Sequence, residues 1–169
     1  GRTIWGCTVA EDYVGGVAVT PCGNYVVAGA ADGSLTLLDV RRAGAQLART
    51  VTDSPVRAVT TDGGLAVAGD EAGFLQLWDV TAMTGGARPS QPAPPLFADV
   101  GALYGSSSAA AAVPAPDGMY PAWPCKAAAA TPAAVTAVAV QGYSCDGGAV
   151  TVDVVTAMED GSVSVVMGV

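Results

Sequence analysis

The chain writes almost the same stretch twice. From residue 26 to 40 it runs Val26-Val27-Ala28-Gly29-Ala30-Ala31-Asp32-Gly33-Ser34-Leu35-Thr36-Leu37-Leu38-Asp39-Val40. Its second version is Ala66-Val67-Ala68-Gly69-Asp70-Glu71-Ala72-Gly73-Phe74-Leu75-Gln76-Leu77-Trp78-Asp79-Val80. Gly29/Gly69, Gly33/Gly73, Leu35/Leu75, Leu37/Leu77, Asp39/Asp79 and Val40/Val80 keep one spacing, and Ala18/Ala58, Val19/Val59 and Thr20/Thr60 extend it upstream without a gap. A fixed period of about 40 residues marks an internal repeat, which constrains the fold more than any composition. Each version is two short apolar runs around a Gly-containing turn, the pattern of a β-hairpin.

Strands follow from the same pattern. Thr3–Val9 reads as a first strand, then Val17–Thr20, Tyr25–Ala30 and Ser34–Val40, with Pro21-Cys22-Gly23-Asn24 as a turn. The second repeat gives Gln46–Thr52, Val56–Thr60, Leu65–Gly69 and Phe74–Val80, with Asp62-Gly63-Gly64 turning between the second and third. From Thr84 to Pro132 Ala, Gly, Pro and Ser dominate, a composition that buries too little apolar surface to offset its ordering entropy. Leu96–Val100 is the candidate for the missing outer strand, leaving 101–131 as an insertion open to proteases near Lys126. A third, degenerate repeat resumes with Val135–Val140, Ala149–Ala157 and Ser162–Met167 around the turn Asp160-Gly161. The expected divisions are 1–83, 84–133 and 134–169.

A repeat of this length closing on Trp78-Asp79 resembles the WD40-repeat family, over residues 1–80 and again over 134–167. The resemblance implies an all-β fold. It would be a partial WD40-type β-propeller, about three blades of four-stranded antiparallel sheets, carrying a long low-complexity insertion. In that family a sequence repeat opens with the outermost strand d of the preceding blade and then runs a, b, c outward. Asp32 and Asp160 fall where the family's turn Asp belongs, Trp78 where its Trp belongs, and Ala30 and Asp70 at its strand-b Ser/Thr position. The family's His has no counterpart, because the chain contains none. Its buried polar network is therefore absent, and β-branched packing with backbone pairing is expected to hold the blades alone. The opening Gly1-Arg2-Thr3-Ile4-Trp5 and the segment Val27–Ser34 are also similar to the propeller that closes BEACH-domain trafficking proteins. Closure takes about 4–8 blades, so 169 residues suggest one arc of a larger ring, completed by further blades of a parent chain.

Chemistry is sparse. The chain has no nucleophile elbow, phosphate loop, dinucleotide fingerprint or EF-hand loop, and without His it lacks the commonest general base and metal ligand. Glu11-Asp12, Asp70-Glu71 and Glu159-Asp160 are carboxylate pairs, but each falls in a turn, where Asp and Glu serve the backbone. No catalytic residue, cofactor or metal site is expected. Seven Lys+Arg against 15 Asp+Glu give a net charge of −8, which disfavours nucleic acid and anionic membrane. No apolar run is long enough for a membrane helix, so no membrane insertion is expected. Cys7, Cys22, Cys125 and Cys145 lack a CxxC spacing and read as buried or incidental thiols of a cytoplasmic protein.

The expected role is that of a non-catalytic protein-interaction scaffold. In the family's layout the d–a and b–c connections share one rim, and here they carry Glu11, Asp12, Tyr13, Asp32, Asp53, Asp70, Glu71, Glu159 and Asp160. That rim would attract a basic protein partner, with Tyr13 as aromatic anchor, opposite a rim holding Arg41, Arg42 and Asp62. Turn chemistry alone also explains those acids. Two other readings stay open. The Pro-rich stretch Pro89–Pro95 contains PxxP motifs and could be a peptide ligand presented by the propeller. A carboxylate active site could also lie at the central channel, marked by a close pair with a raised pKa.

Overall fold

The computed structural model describes residues 1–3, 5–62, 64–84, 125–146 and 149–167. Among these the fold is all-β, with three antiparallel sheets laid out in chain order. The first contains β1 (Val14–Val19), β2 (Tyr25–Ala30), β3 (Ser34–Asp39) and β4 (Ala45–Val51). The second contains β5 (Val56–Asp62), β6 (Leu65–Asp70), β7 (Phe74–Asp79) and β8 (Cys125–Ala130). The third contains β9 (Val135–Asp146), β10 (Ala149–Met158) and β11 (Val163–Val166).

The repeated hairpin is the same object three times. Gly29 pairs with Leu35, Gly69 with Leu75 and Ala157 with Val163, so the three turns fall in one register. Each turn closes on a glycine at positive φ, Gly33 (79°), Gly73 (86°) and Gly161 (83°), where an L side chain would be strained. The amide of each glycine donates three residues back, to Ala30, Asp70 and Met158. Leu38 and Trp78 take equivalent places, opposite Val26 and Ala66. Ahead of each hairpin the first strand carries a one-residue bulge, at Gly15, Arg57 and Thr136.

The ungapped alignment fails in one place. Val17 pairs with Ala28, but Val59, not Arg57, pairs with the equivalent Ala68. Thr20 meets Tyr25 across the first turn, whereas Asp62 pairs with Leu65 across the second, so the first strands are offset by two. Two is the pleat period. The shift therefore leaves every side chain on its proper face, where a shift of one would turn the strand inside out.

The sheets pack face on face in series. Val27, Leu35, Leu37 and Ala48 of the first sheet meet Val56, Ala66, Ala68 and Trp78 of the second in one buried cluster. Ala58, Val67, Leu75 and Leu77 of the second meet Val135, Val152 and Val154 of the third in another. Glycine sets the spacing. A Cβ on Gly29 would lie 2.3 Å from Val56 Cγ1, and one on Gly69 would lie 2.4 Å from Val135 Cγ1. The first strands of neighbouring sheets touch, β1 to β5 and β5 to β9. A Cβ on Gly16 would meet the Val59 backbone nitrogen at 2.7 Å, so that approach also requires glycine.

Several expectations need correction. Residues 3 and 5–9 form no strand, because no third strand of a preceding sheet lies beside them to pair with. The outer strand of the second sheet is Cys125–Ala130, paired with β7, and not Leu96–Val100, which lies outside the described residues. The Ala/Pro-rich stretch therefore enters between the third and fourth strands of that sheet. The backbone of Lys126 is held in β8, contrary to the open cleavage site expected there. Pro89–Pro95 also lies outside the described residues.

The repeat's Asp39 and Asp79 end β3 and β7 and at the same time start helical turns, so Val40 and Val80 are not strand residues as expected. Asp39 caps a 3-10 turn at Val40–Arg42, accepting from Arg41 N at 2.9 Å, and Asp79 caps α1 (Val80–Thr84), accepting from Ala82 N at 3.1 Å. Packing and backbone pairing do not act alone. Thr52 Oγ1 donates to Gly33 O (3.0 Å) and Ser54 O (2.7 Å), and Thr131 Oγ1 repeats this with Gly73 O (2.8 Å) and Ala133 O (2.9 Å). Thr61 Oγ1 donates to Val19 O across the first two sheets at 2.8 Å.

Candidate interaction site

The site is built from connections that the backbone stitches together. Before each sheet, the residue preceding the first strand accepts from the hairpin turn: Tyr13 O from Ala31 N, Pro55 O from Glu71 N, and Ala134 O from Glu159 N, each at 2.9 Å. Side chains add to this, with Asp32 Oδ2 accepting from Glu11 N at 2.9 Å and Ser54 Oγ from Ala72 N at 3.1 Å. The two kinds of connection therefore form one rim across all three sheets. On the other rim Val40 N donates to Asn24 O and Val80 N to Gly64 O.

The expected acidic residues divide into four groups. Glu11, Asp12, Asp53, Glu159 and Asp160 are exposed and make no ion pair among the described residues. Glu71 is exposed but bound by Arg57 at 2.8 Å, and Asp32 is half-buried with Arg49 at 3.7 Å. Asp70 does not belong on the surface at all: it is 3% exposed, at the inner end of β6. It is buried because the last residue of β6 lies beneath its own turn, where Asp70 Oδ1 accepts from Phe74 N at 2.8 Å. Tyr13, at 55% exposure, stands open beside this rim.

The electrostatics follow from those partners. Burial pushes the Asp70 carboxyl up, against the backbone amides of Phe74, Ala72 and Gly73. At Asp32 burial also works upward, but Ser34, the Glu11 amide and Arg49 outweigh it and the net shift is downward. The Ser162 hydroxyl and amide hold Asp160 low. The Arg57 guanidinium is raised, chiefly by Glu71, with Tyr13 and Glu159 also contributing. Arg57 therefore sits within electrostatic reach of rim groups from all three sheets.

Arg49 and Arg57 were missed by the sequence reading. The signal lay in Arg57 itself: it is the bulge residue of β5, and bulges re-aim a side chain that simple alternation would send elsewhere. On the opposite rim Arg41 is not free to attract anions. It donates to both Asp39 oxygens, at 3.0 and 2.9 Å, and to Tyr25 Oη at 2.8 Å, with its guanidinium 5.0 Å from the Tyr25 ring centre.

Among the described residues no three His, Cys, Asp or Glu side chains gather as a metal site would require. Cys7 and Cys22 are exposed free thiols rather than buried ones. No helix among the described residues is long and apolar enough to cross a membrane. Compared with protein-family models and with curated protein sequences, the chain matches none.

Proposed function

We propose that this chain is a three-sheet arc of a WD40-type β-propeller and acts as a non-catalytic scaffold that docks a basic protein surface. Its architecture supports the arc. Three sheets of one register follow one another, and their first strands lie side by side, as strands lining a common axis would. The observation that carries the docking role is the rim itself. Five exposed, unpaired carboxylates, Glu11, Asp12, Asp53, Glu159 and Asp160, share it with an exposed Tyr13. Like charges gathered on one edge produce a potential that steers a basic ligand and speeds its approach. Arg57 and Arg49 temper the field at Glu71 and Asp32, and Arg57 also acts on Glu159, so the attraction centres on Glu11, Asp12, Asp53 and Asp160.

The carboxylate-site reading is weaker. Burial pushes the Asp70 carboxyl up, but its oxygen already caps its own turn. That is a structural duty. The test of the docking role is binding of a Lys/Arg-rich peptide followed by isothermal titration at several salt concentrations. Affinity is expected to fall as salt rises, because exposed charges are screened over about 8–10 Å at 0.1–0.15 M. Substituting Glu11, Asp12 and Asp53 by Lys should weaken binding with little change in melting temperature. Affinity indifferent to both salt and these substitutions would refute it.

A further inference from the structure

Arg57 belongs to the middle sheet, flanked on both sides, and it places a positive charge inside the acidic rim. It is the bulge residue of β5, skipped in the pairing between Val56 and Ala58. The first sheet closes on its backbone: a Cβ on Gly15 would meet Val56 O at 2.4 Å and Arg57 Cα at 3.2 Å. The main chain at Arg57 is fixed by that approach, while the side chain reaches the rim, where Nη2 lies 2.8 Å from Glu71 Oε1. Tyr13, just ahead of β1, and Glu159, in the turn after β10, also lie within its electrostatic reach.

The seat is only half-fitted. Arg57 reaches Glu71 through one end of its fork, and its Nε is buried with no hydrogen-bond partner among the described residues. A buried donor left unpaired is penalised, and the penalty ends when the side chain swings back into water. The ion pair itself is open to solvent, with side-chain exposures of 37% and 44%, so screening leaves it weak. Arg41 on the other rim shows the contrast. Its Nε and Nη2 both bond Asp39, whose side chain is 4% exposed, and Nη2 also bonds Tyr25 Oη. Arg41 is locked in place, whereas Arg57 is held by one surface contact that a competing cation can replace.

We propose that Arg57 is an internal stand-in for the ligand: in the free chain its guanidinium fills a seat beside Glu71 that an arginine of a basic protein partner takes over on docking, with Arg57 turning out into solvent. This rests on the docking reading above and names the side chain by which the partner is recognised. Exchange of one guanidinium for another leaves Glu71 paired throughout, so no carboxylate is stripped of its cation on the way. Arg57 regains rotamer freedom and rehydrates its Nε when it leaves. The seat also discriminates. A carboxylate matches the planar fork of arginine better than the compact ammonium of lysine, so a lysine displaces Arg57 less well. Glu71 is thus masked in the free chain and becomes a binding group only in the docked one, beside Glu11, Asp12, Asp53 and Asp160.

The test is titration calorimetry of the full chain with hexa-arginine and hexa-lysine peptides. Arg57→Met keeps the side chain's stem and removes its charge and donors, and circular dichroism checks that the fold is retained. It should bind hexa-arginine about two- to fivefold more tightly than wild type, the worth of one exposed ion pair. Arg49→Met removes the same charge from the pair with Asp32, at 3.7 Å, and should gain clearly less. Adding Glu71→Gln to Arg57→Met should abolish the gain. Wild type should prefer hexa-arginine to hexa-lysine. The Arg57 Nε–H, buried in the free chain, should exchange with water faster by NMR as hexa-arginine is added. Equal gains from Arg57→Met and Arg49→Met, a gain that survives Glu71→Gln, no preference for arginine, or an Arg57 Nε–H indifferent to bound peptide would each overturn the exchange while leaving salt-dependent docking in place. Failure of every variant to bind either peptide would overturn both.

Discussion

Gly29→Ala tests the packing of one sheet on the next. The new Cβ would sit 2.3 Å from Val56 Cγ1, 2.8 Å from Val59 Cγ2 and 3.0 Å from Val56 Cβ. Val56 is β-branched and 1% exposed, so its χ1 is stiff, and its Cβ stays in the way in any rotamer. Overpacking of this kind costs about 1–3 kcal/mol. Replacing a strand glycine returns about 0.5–1 kcal/mol, for a net loss of roughly 1–2 kcal/mol. Val56→Ala by itself should cost about 2–3 kcal/mol, from two buried methyl groups and the space they leave. The double variant removes the clashing methyls and lets the new Cβ fill part of that space. Its loss should therefore fall about 1–2 kcal/mol short of the sum, well beyond the ~0.5 kcal/mol scatter of independent sites. Urea denaturation of the four proteins measures the cycle, and the Gly29→Ala melting temperature should drop by about 2–8 °C. Simple additivity would refute the contact and, with it, the reason given for glycine at that position.

Three further outcomes follow from individual groups. Gly16→Ala meets backbone rather than a side chain, with Val59 N at 2.7 Å and Ala58 C at 3.0 Å, so it should destabilise more than Gly29→Ala and resist rescue by Val56→Ala; equal losses in thermal melts would count against the β1–β5 approach. Thr52→Val and Thr131→Val each remove one hydroxyl that bonds two carbonyls, and each should cost about 1–2 kcal/mol by chemical denaturation; very different values would show the two stitches are not equivalent. Burial raises the folded pKa of Asp70, so its charged form is penalised in the fold and its contribution to stability grows as pH falls through that value. Asp70→Asn keeps an acceptor for Phe74 N and should raise the melting temperature at pH 7, by a margin that shrinks toward acid. Asp160, held low by Ser162, has the opposite sign: its contribution is present above the ordinary carboxylate pKa and is lost as pH falls through the folded value. A pH-independent gap between wild type and Asp70→Asn would refute the assignment.

The sequence alone determined the hairpins. Their turns need glycine at positive φ, and their strands need alternating Val, Leu and Ala. Both are local demands, readable at Gly33, Gly73 and Gly161 without knowing what lies across from them. The position of the last outer strand was readable too. Thr52 stands four residues before Val56 and six before Ala58, and Thr131 stands likewise before Val135 and Ala137. An outer strand ends just ahead of each threonine. The poly-Ala composition of 127–130 hid this one, because Ala carries little strand preference of its own and pairs here only because β7 offers it an edge.

What only the tertiary structure decided is which groups face water and which meet each other. Glu71 and Asp70 are sequence neighbours, yet one is exposed and the other is buried, because Asp70 ends β6 beneath the turn it caps and Glu71 begins that turn. Arg57 reaches Glu71, and Arg49 reaches Asp32, across strands that sequence spacing does not relate. Thr3–Val9 makes the converse case: it has the sequence of a strand and the position of one, but a strand needs a neighbour to hydrogen-bond, and that neighbour is not supplied by its own sheet. Local chemistry wrote the repeats, and long-range pairing chose their partners.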